Sequence, residues 1–296
     1  MAVHFRKVTL VGVGLLGGSL GMALRRRGLA DEVQGFVRRA SSVAECLALG
    51  VVDRCSRNLA EAVVDADLVV LCSPVGQIPG LFREMSRHLS PDCLVTDVGS
   101  VKSDLVAEVE PLAQGAGVRF VGSHPMAGAE KSGPAHARAD LFEGTVCVVT
   151  PTSASDPSAV LAIRSLWEAV GSRVLQMNPV LHDDLVARSS HLPHVVAAEL
   201  ANYVLSPVHP KEQSDLCAGG FRDTTRIASG SPEMWRDIAL ANRRHLSRVL
   251  GVFIEDLSEF RLALDAGDEK SIEDFFRQAK SRRDLRFPEP ESKKTA

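Results

Sequence analysis

The sequence has few aromatic residues and almost no excess of either charge. Phenylalanine, tryptophan and tyrosine make up 5% of the 296 residues, and 34 basic against 37 acidic residues give a net charge of −3. This balance argues against a nucleic-acid partner, because nucleic-acid-binding proteins usually carry a basic excess. Hydrophobic residues make up 45% of the chain, which excludes a wholly disordered protein. The length predicts two domains.

Cysteine is sparse, and a membrane-length apolar run is absent. The six cysteines include no CxxC pair, and Cys72 and Cys147 lie in apolar runs, as buried thiols of a reducing cytosol do. Residues 8–24 carry no charge, but five of them are glycine and no small-residue cleavage pattern follows. The run is also shorter than the ~20 residues that span a bilayer. We therefore expect a cytoplasmic protein with neither a signal peptide nor a membrane partner.

The first half of the chain alternates short apolar runs with helical patterns. This alternation predicts an α/β domain over residues 1–178, a Rossmann-like, doubly wound and mostly parallel sheet with helices on both faces. The continuous apolar character of the runs supports parallel strands, which are buried on both faces. The predicted strands are 7–11, 32–37, 68–72, 94–97, 120–122, 146–150 and 174–177, and the predicted helices are 15–27, 42–49, 78–88, 102–113 and 159–170.

The pattern changes near residue 178, after which no strand is predicted. Apolar residues recur at intervals of three and four from Glu233 past Phe260, which predicts one long helix. Because so broad an apolar stripe needs covering, we expect residues 179–296 to form an all-helical substrate and dimerisation domain, and the protein to be a homodimer through these helices. Residues 282–296 are polar and contain proline, so a flexible tail is predicted there.

A glycine-rich turn follows the first predicted strand. Gly12, Gly14 and Gly17 form a GxGxxG pattern, and Leu15 and Leu16 open the next predicted helix. Between a strand and a helix this pattern is typical of dinucleotide binding, because the backbone approaches the pyrophosphate and the helix N-terminus attracts its charge. We expect these five residues to bind the cofactor. The alternative is a packing turn without a ligand.

The end of the second predicted strand favours one form of the cofactor. NAD sites usually carry an acidic residue here that binds the ribose 2′-hydroxyl, but this chain has Val37, followed by Arg38 and Arg39. Guanidinium groups suit a 2′-phosphate, so NADP is favoured and NAD is possible. The alternative is that both arginines are solvated surface charges. Ser73, after strand 68–72, is a further expected cofactor contact.

Four further segments contain compact motifs of glycine, serine, histidine and arginine. They are 96–102 (TDVGSVK), 122–128 (GSHPMAG), 190–194 (SHLPH) and 219–228 (GGFRDTTRIA), the last followed by 232–235 (PEMW). With the glycine-rich turn, and in this order, they resemble the prephenate/arogenate dehydrogenase family of tyrosine biosynthesis. The resemblance implies hydride transfer from a cyclohexadienol to NAD(P)+ with loss of the ring carboxylate as CO2. The product is 4-hydroxyphenylpyruvate from prephenate, or tyrosine from arogenate.

The resemblance also implies roles for four residues. His124 is the catalytic group that takes the hydroxyl proton, and Ser100 contacts it near the nicotinamide. Arg226 binds the ring carboxylate, and His194 lies in the substrate pocket, so His124 and Arg226 are expected to face each other across a cleft. The residues alone leave alternatives open: a loop histidine for His124, a helix N-cap for Ser100, and a surface pair with Asp223 for Arg226.

A metal site and two other functions are alternatives to this interpretation. His191 and His194 lie three residues apart near His182, Asp183 and Asp184, but no third ligand has a recognisable spacing, so no metal is expected and His191 is interpreted as structural. A dehydrogenase of the β-hydroxyacid type would need a lysine in a helix of the second domain. A non-catalytic nucleotide-binding dimer would have no use for the histidine, serine and arginine assigned above.

Overall fold

The computed structural model describes residues 3–128, 131 and 133–288, and a six-stranded parallel sheet forms its first half. The strand order is β3-β2-β1-β4-β5-β6, which confirms the predicted Rossmann-like sheet. The strands are β1 (Phe5–Val11), β2 (Ala30–Phe36), β3 (Arg54–Ser56), β4 (Leu68–Leu71), β5 (Leu94–Asp97) and β6 (Arg119–Phe120). The helices are α1 (Leu15–Arg26), α2 (Ala40–Ala48), α3 (Leu59–Val63), α4 (Ile78–Met85), α5 (Ser103–Gly115) and α6 (Pro157–Ala169).

Helices cover both faces of this sheet. Within β4, Leu68 and Val70 belong to one apolar cluster, whereas Val69 and Leu71 belong to another. The first cluster includes residues of α1, α2 and α6, and the second includes residues of α3, α4 and α5. Successive side chains of a strand point to opposite faces, so the sheet has a core on each side, as a doubly wound fold requires.

A second, three-stranded sheet follows, and it changes the predicted place of His124. β7 (Gly122–Pro125) pairs antiparallel with β8 (Val146–Thr150), which pairs parallel with β9 (Arg173–Gln176). The predicted strand at 120–122 is therefore wrong, and so is the alternative that His124 is a loop histidine. Glycine and proline have low strand propensity, but Pro125 is tolerated because β7 is an edge strand.

The described chain after β9 is helical, as predicted. Its α-helices are α7 (Pro179–Val186), α8 (Leu192–Val204), α9 (Glu212–Asp215), α10 (Gly219–Thr225), α11 (Pro232–Ala241), α12 (Arg243–Ala266) and α13 (Glu269–Arg286). A π-helical turn, Ala187–His191, joins α7 to α8. The single helix predicted from Glu233 past Phe260 is instead two helices, because Asn242 leaves helical geometry at φ −108° and ψ 24°. The predicted tail is helical as far as Arg286, and residues 289–296 lie outside the described residues.

The chain divides into two compact units, Met1–Leu246 and Ser247–Ala296. The first contains both sheets and the helices up to α11. Within the second, Phe260 of α12 packs against Phe275 and Phe276 of α13, with ring centres 4.5 and 5.8 Å apart. The predicted domain boundary near residue 178 marks the change from α/β to helical structure, and it stays a prediction.

Two further observations concern the cysteines and the helices. All six cysteines are free thiols. In the described ranges, none of the helices is both long and apolar enough to cross a membrane. The cytoplasmic location stays a prediction.

Candidate active site

A chain of three hydrogen-bonded side chains runs from Asp183 through His182 to His124. Oδ1 of Asp183 lies 2.8 Å from Nδ1 of His182, and Nε2 of His182 lies 2.9 Å from Nδ1 of His124. The three residues are 1%, 0% and 6% exposed, respectively. In the sequence His182 and Asp183 are candidates only for metal binding, whereas in the structure they support His124.

The order of these hydrogen bonds fixes the protons on both imidazoles. Burial raises the pKa of Asp183, but hydrogen bonds from His182 and from two backbone N–H groups outweigh burial, so the pKa lies below its usual value. An ionised carboxylate only accepts hydrogen bonds, so Nδ1 of His182 donates to it and Nε2 accepts. Nδ1 of His124 therefore donates, and Nε2 of His124 is an unprotonated acceptor. A neutral imidazole in this form is a general base.

The surroundings of His124 keep its imidazole neutral. Burial is the largest cause that lowers the pKa of His124 well below the usual 6.5, and His182 and Lys102 lower it further. Lys102 is ion-paired with Asp97, and both side chains are completely buried. A fixed positive charge near an imidazole disfavours its protonation, so the Lys102 ammonium group helps to preserve the base.

A buried network joins β7 to β5 and holds His124 in place. Oγ of Ser123 donates to the Asp97 carbonyl at 2.6 Å and accepts from the indole N–H of Trp167 at 3.0 Å. The Asp97 carboxylate accepts from the backbone N–H groups of Ser123 at 3.1 Å and Gly99 at 2.8 Å. Because moving β7 would break several of these buried bonds, the position of His124 is fixed.

Ser100 lies between β5 and α5 and is partly exposed. Helix α5 has Lys102 as its N-cap residue, and the N–H groups of Lys102 and Ser103 each donate to a carboxylate oxygen of Asp183 at 2.8 Å. The N-cap role considered for Ser100 is therefore wrong, because a carboxylate from α7 occupies that position and also complements the helix dipole. The contact between Ser100 and His124 stays a prediction.

Residues of the helical segments after residue 186 line an open cavity of about 440 Å³. The imidazole of His194 stacks on the indole of Trp235 with ring centres 3.7 Å apart, and His191 meets the same indole edge-on at 6.1 Å. Nδ1 of His194 lies 2.9 Å from the carbonyl oxygen of Ser190, to which it donates. The wall is otherwise mostly apolar, with Val195, Ala198, Ile227, Ala228, Ile238 and Ala239 among its residues. His194 thus lines a cavity, and its contact with a substrate stays a prediction.

Arg226 begins a short 3-10 helix, Arg226–Ser229, between α10 and α11. The residue is exposed, but the next two residues, Ile227 and Ala228, line the cavity. Arg226 is therefore adjacent along the chain to the cavity wall. Its role in binding a carboxylate and its position facing His124 stay predictions, as does the alternative pairing with Asp223.

The glycine-rich turn fits a dinucleotide. A Cβ on Gly12, whose φ is +103°, would lie 3.0 Å from the backbone just after β4, and a Cβ on Gly17 would lie 2.2 Å from the Gly12 carbonyl oxygen. The fold itself therefore requires these two glycines. No described atom lies within 4 Å of a Cβ on Gly14, the N-cap of α1. Leu15 and Leu16 form a first turn without an acidic residue. Open space at a helix N-terminus suits phosphate groups.

Three arginines gather at the carboxyl ends of β2 and β3. Arg38 and Arg39 follow β2 and are exposed, and Nε of Arg57 donates to the Arg38 carbonyl at 3.2 Å. Val37 is 7% exposed and packs in the core, so an acidic side chain is absent from this position. Arg57 could not be predicted as a member of this group from the sequence, because its proximity to Arg38 depends on the pairing of β2 with β3.

Ser73 supports the glycine-rich turn. Its Oγ donates to the carbonyl of Val11, the last residue of β1, at 3.1 Å. The hydroxyl therefore links β4 to the strand that enters the turn, and its contact with a cofactor stays a prediction.

Four buried residues of this site were assigned no catalytic or supporting role from the sequence: Lys102, His182, Asp183 and Asn242. Asn242 is 2% exposed, and its amide nitrogen lies 2.9 Å from the Asp183 carbonyl oxygen and 3.1 Å from Nδ1 of His191. A signal was present, since Asn242 is a polar residue within an apolar helical stripe. Among the described residues, no group of three or more His, Cys, Asp or Glu side chains is arranged to hold a metal ion.

Two family models match the chain. The nucleotide-binding domain of prephenate dehydrogenase matches residues 20–176, and the prephenate dehydrogenase dimerization domain matches residues 178–278. The chain is also 33% identical to the prephenate dehydrogenase of Bacillus subtilis (strain 168) over 286 residues, which is 94% of this chain and 75% of that protein.

Solved structures give the same result. Prephenate dehydrogenase from Aquifex aeolicus, in complex with hydroxyphenyl propionate and NAD+, is 34% identical with a TM-score of 0.89, and the match covers 96% of this chain and 99% of that one. Synechocystis arogenate dehydrogenase is 32% identical with a TM-score of 0.78, and the match covers 94% and 99%. The resemblance found in the sequence is confirmed, and the chain belongs to the prephenate dehydrogenase family.

Proposed function

We propose that this protein catalyses the oxidative decarboxylation of prephenate or arogenate, with hydride transfer to NAD(P)+, in tyrosine biosynthesis. The observation that carries this proposal is the chain from Asp183 through His182 to His124, which ends in a neutral imidazole nitrogen. Such a base is what oxidation of a ring alcohol requires. Family membership supports the choice of substrates.

His124 accepts the hydroxyl proton of the substrate and later returns it. Bound nicotinamide supplies the acceptor for the hydride that leaves C4 of the ring. Nε2 of His124 accepts the hydroxyl proton, and the C4–O bond becomes a carbonyl. The ring carboxylate then leaves as CO2, and the electrons of its broken C–C bond complete the aromatic ring. Protonated His124 returns its proton to the phenolate oxygen, so the step needs no other acid or base.

His182 and Asp183 are positioning residues for this base. They hold the tautomer in which Nε2 of His124 is unprotonated, and the buried Asp183 carboxylate stabilises the positive charge that His124 carries after proton transfer. A carboxylate that orients an imidazole plays the same part in hydrolytic triads.

Three further residues are proposed to bind the substrate. Ser100, between β5 and α5, contacts His124 and the reacting hydroxyl. Arg226 binds the ring carboxylate, for which a planar guanidinium is well suited, and its neighbours Ile227 and Ala228 on the cavity wall support this position. His194, on the same wall, contacts the substrate side chain.

We propose NADP rather than NAD as the preferred cofactor. Arg38, Arg39 and Arg57 offer three guanidinium groups at the carboxyl ends of β2 and β3. Val37 presents no carboxylate to a ribose 2′-hydroxyl. Charge-assisted hydrogen bonds from arginine to phosphate are strong, so this arrangement supports a cofactor with a 2′-phosphate.

We also propose a homodimer through the C-terminal helices. The matching family model is named a dimerization domain. Large apolar side chains on α12 and α13 are exposed within their own unit, including Val252 (52%), Ile254 (54%), Leu262 (60%) and Phe276 (60%). A second copy would cover such a surface, and sedimentation of the purified protein tests this proposal.

A two-by-two assay of both substrates against both cofactors tests the function. NAD(P)H formation with prephenate or arogenate is the expected result, with NADP+ preferred. Cofactor binding without turnover of either substrate would favour the non-catalytic nucleotide-binding protein. Turnover of 3-hydroxy acids alone would favour the β-hydroxyacid type. The single lysine between residues 178 and 264, Lys211, is the N-cap residue of the short α9.

A further inference from the structure

His191 carries a buried polar atom without a partner. The side chain is 1% exposed, and its Nε2 has no hydrogen-bond partner among the described residues. In the part of the chain that the structure describes, Nε2 of His191 is the one fully buried side-chain nitrogen or oxygen that lacks a hydrogen-bond partner. A buried donor or acceptor left unpaired is costly, so a binding role explains it better than the structural role first expected.

Asn242 determines whether Nε2 of His191 is a hydrogen-bond donor or an acceptor. The Asn242 amide nitrogen donates to the Asp183 carbonyl at 2.9 Å, which fixes the orientation of the amide, and the same nitrogen lies 3.1 Å from Nδ1 of His191. Nδ1 must therefore accept. His245 supports this orientation, because its Nδ1 lies 2.9 Å from the Asn242 amide oxygen. Since the Nδ1 lone pair is used, Nε2 of the neutral imidazole carries the proton and is a donor.

His191 is one of the residues that line the cavity of His194 and Trp235. The indole of Trp235 is 6.1 Å from the His191 ring, centre to centre, which is an edge-to-face packing distance and not a hydrogen bond. The surrounding wall is mainly apolar, so a ligand oxygen is the natural partner for the N–H group. Burial lowers the pKa of His191 to about 4, which is consistent with a neutral donor.

His194, unlike His191, is not restricted to a single kind of ligand group. Its Nδ1 donates to the Ser190 carbonyl, so its Nε2 accepts when the ring is neutral and donates when it is protonated. It is less buried than His191; burial lowers the pKa of His194, and the hydrogen bond to the Ser190 carbonyl raises it. His194 can therefore serve either an oxygen or an ammonium group, whereas His191 is restricted to an acceptor.

We propose that Nε2–H of His191 donates to the α-keto oxygen of the substrate side chain, and that His191 thereby selects a keto acid over an α-amino acid. An ammonium group has only hydrogen-bond donors. It would therefore leave Nε2–H of His191 unpaired and would place two donors opposite each other. A site that hydrogen-bonds a polar group of its substrate strongly rejects analogues that lack this group. This inference rests on the proposed function, because it requires the side chain of the ring substrate to enter this cavity, and it favours prephenate over arogenate.

The test compares two ligands that differ by one keto oxygen. Calorimetry with saturating cofactor measures the dissociation constants of 4-hydroxyphenylpyruvate and 4-hydroxyphenylpropionate. The wild-type protein should bind the keto compound about tenfold tighter, which corresponds to about 1.4 kcal/mol. In His191→Phe this ratio should fall towards one. His191→Gln keeps a donor and an acceptor, so it should restore part of the ratio.

Two controls separate a binding role from a structural one. Val195→Ala alters the same wall without a polar change, so it should weaken both ligands equally and leave their ratio unchanged. Cofactor affinity should stay constant in every variant, because the glycine-rich turn is elsewhere in the fold. Should His191→Phe misfold, the comparison of His191→Gln with the wild type still measures the ratio.

The outcomes also separate this inference from the proposed function. An unchanged ratio in His191→Phe, or a wild-type ratio near one, overturns the role of His191 even if prephenate is turned over. Failure of the wild type to bind either ligand also overturns it. Absence of NAD(P)H formation with prephenate and arogenate, while the ratio still responds to His191, contradicts the proposed function and leaves the donor assignment intact.

Discussion

Replacement of His182 by phenylalanine removes the acceptor that holds the tautomer of His124. Phenylalanine fills a similar volume, so no large cavity forms at this fully buried position. Nδ1–H of His124 is nevertheless left without a partner, and Oδ1 of Asp183 loses one of its two hydrogen bonds. Asp183 keeps its bonds to the N–H groups of Lys102 and Ser103. The substitution thus affects the base more than the helix cap.

The magnitude follows from these two losses. A buried polar group left without a partner costs about 1–3 kcal/mol, and a hydrogen bond to a charged group contributes about 1.5–3 kcal/mol, so the free energy of unfolding of His182→Phe should fall by about 3–6 kcal/mol. His182→Phe remains folded if the wild-type stability exceeds about 8 kcal/mol, which lies within the usual range of about 5–15 kcal/mol. General base catalysis contributes about 10²–10⁴ in rate, and we expect kcat to fall by about 10² because His124 can then take the tautomer that cannot accept a proton.

Steady-state kinetics and calorimetric unfolding measure both effects. His182→Gln is the matched variant, because its amide oxygen can accept from Nδ1 of His124. It should recover much of kcat, whereas a purely structural role would not make kcat depend on an acceptor. The reasoning is refuted if His182→Phe keeps kcat within twofold of the wild type, or if His182→Gln is no more active than His182→Phe.

Four further predictions concern the proposed catalytic and binding residues. His124→Asn should lose most of kcat with little change in cofactor affinity, and an unchanged kcat would remove His124 from the mechanism. Because burial lowers the pKa of His124 and only the neutral form accepts a proton, the acid limb of kcat/KM should lie below pH 6.5; a limb above that value contradicts the assignment of the base. Arg226→Gln should raise KM steeply, since the counter-charge acts in the ground state; if KM is unchanged, another group holds the carboxylate. The pKa of His191 is about 4 in the folded protein against 6.5 unfolded, so protonation of the unfolded chain should reduce stability by about 3 kcal/mol as the pH falls from 6.5 to 4, and His191→Phe should remove that part of the loss.

Much of the fold could be predicted because its signals are local. Strands β5 and β8 have the predicted bounds, since short apolar runs between turns are typical of buried strands. Strand β3, with Arg54–Ser56, was missed because it is a three-residue edge strand with little apolar character. Strand β7 was missed because its ladder with β8 overrides the low propensity of glycine and proline.

The family, the dinucleotide turn and the presence of His124 could be predicted from the order of the motifs along the chain. These features depend on residues that are neighbours along the chain, so the linear sequence shows them. The linear sequence does not show that Asp183 and His182 support His124, that Asn242 contacts His191, or that Arg57 contacts Arg38; packing brings these residues together. Hydrogen bonds and burial act between atoms that are close in space. Residues far apart along the chain meet only after the strands and helices have packed.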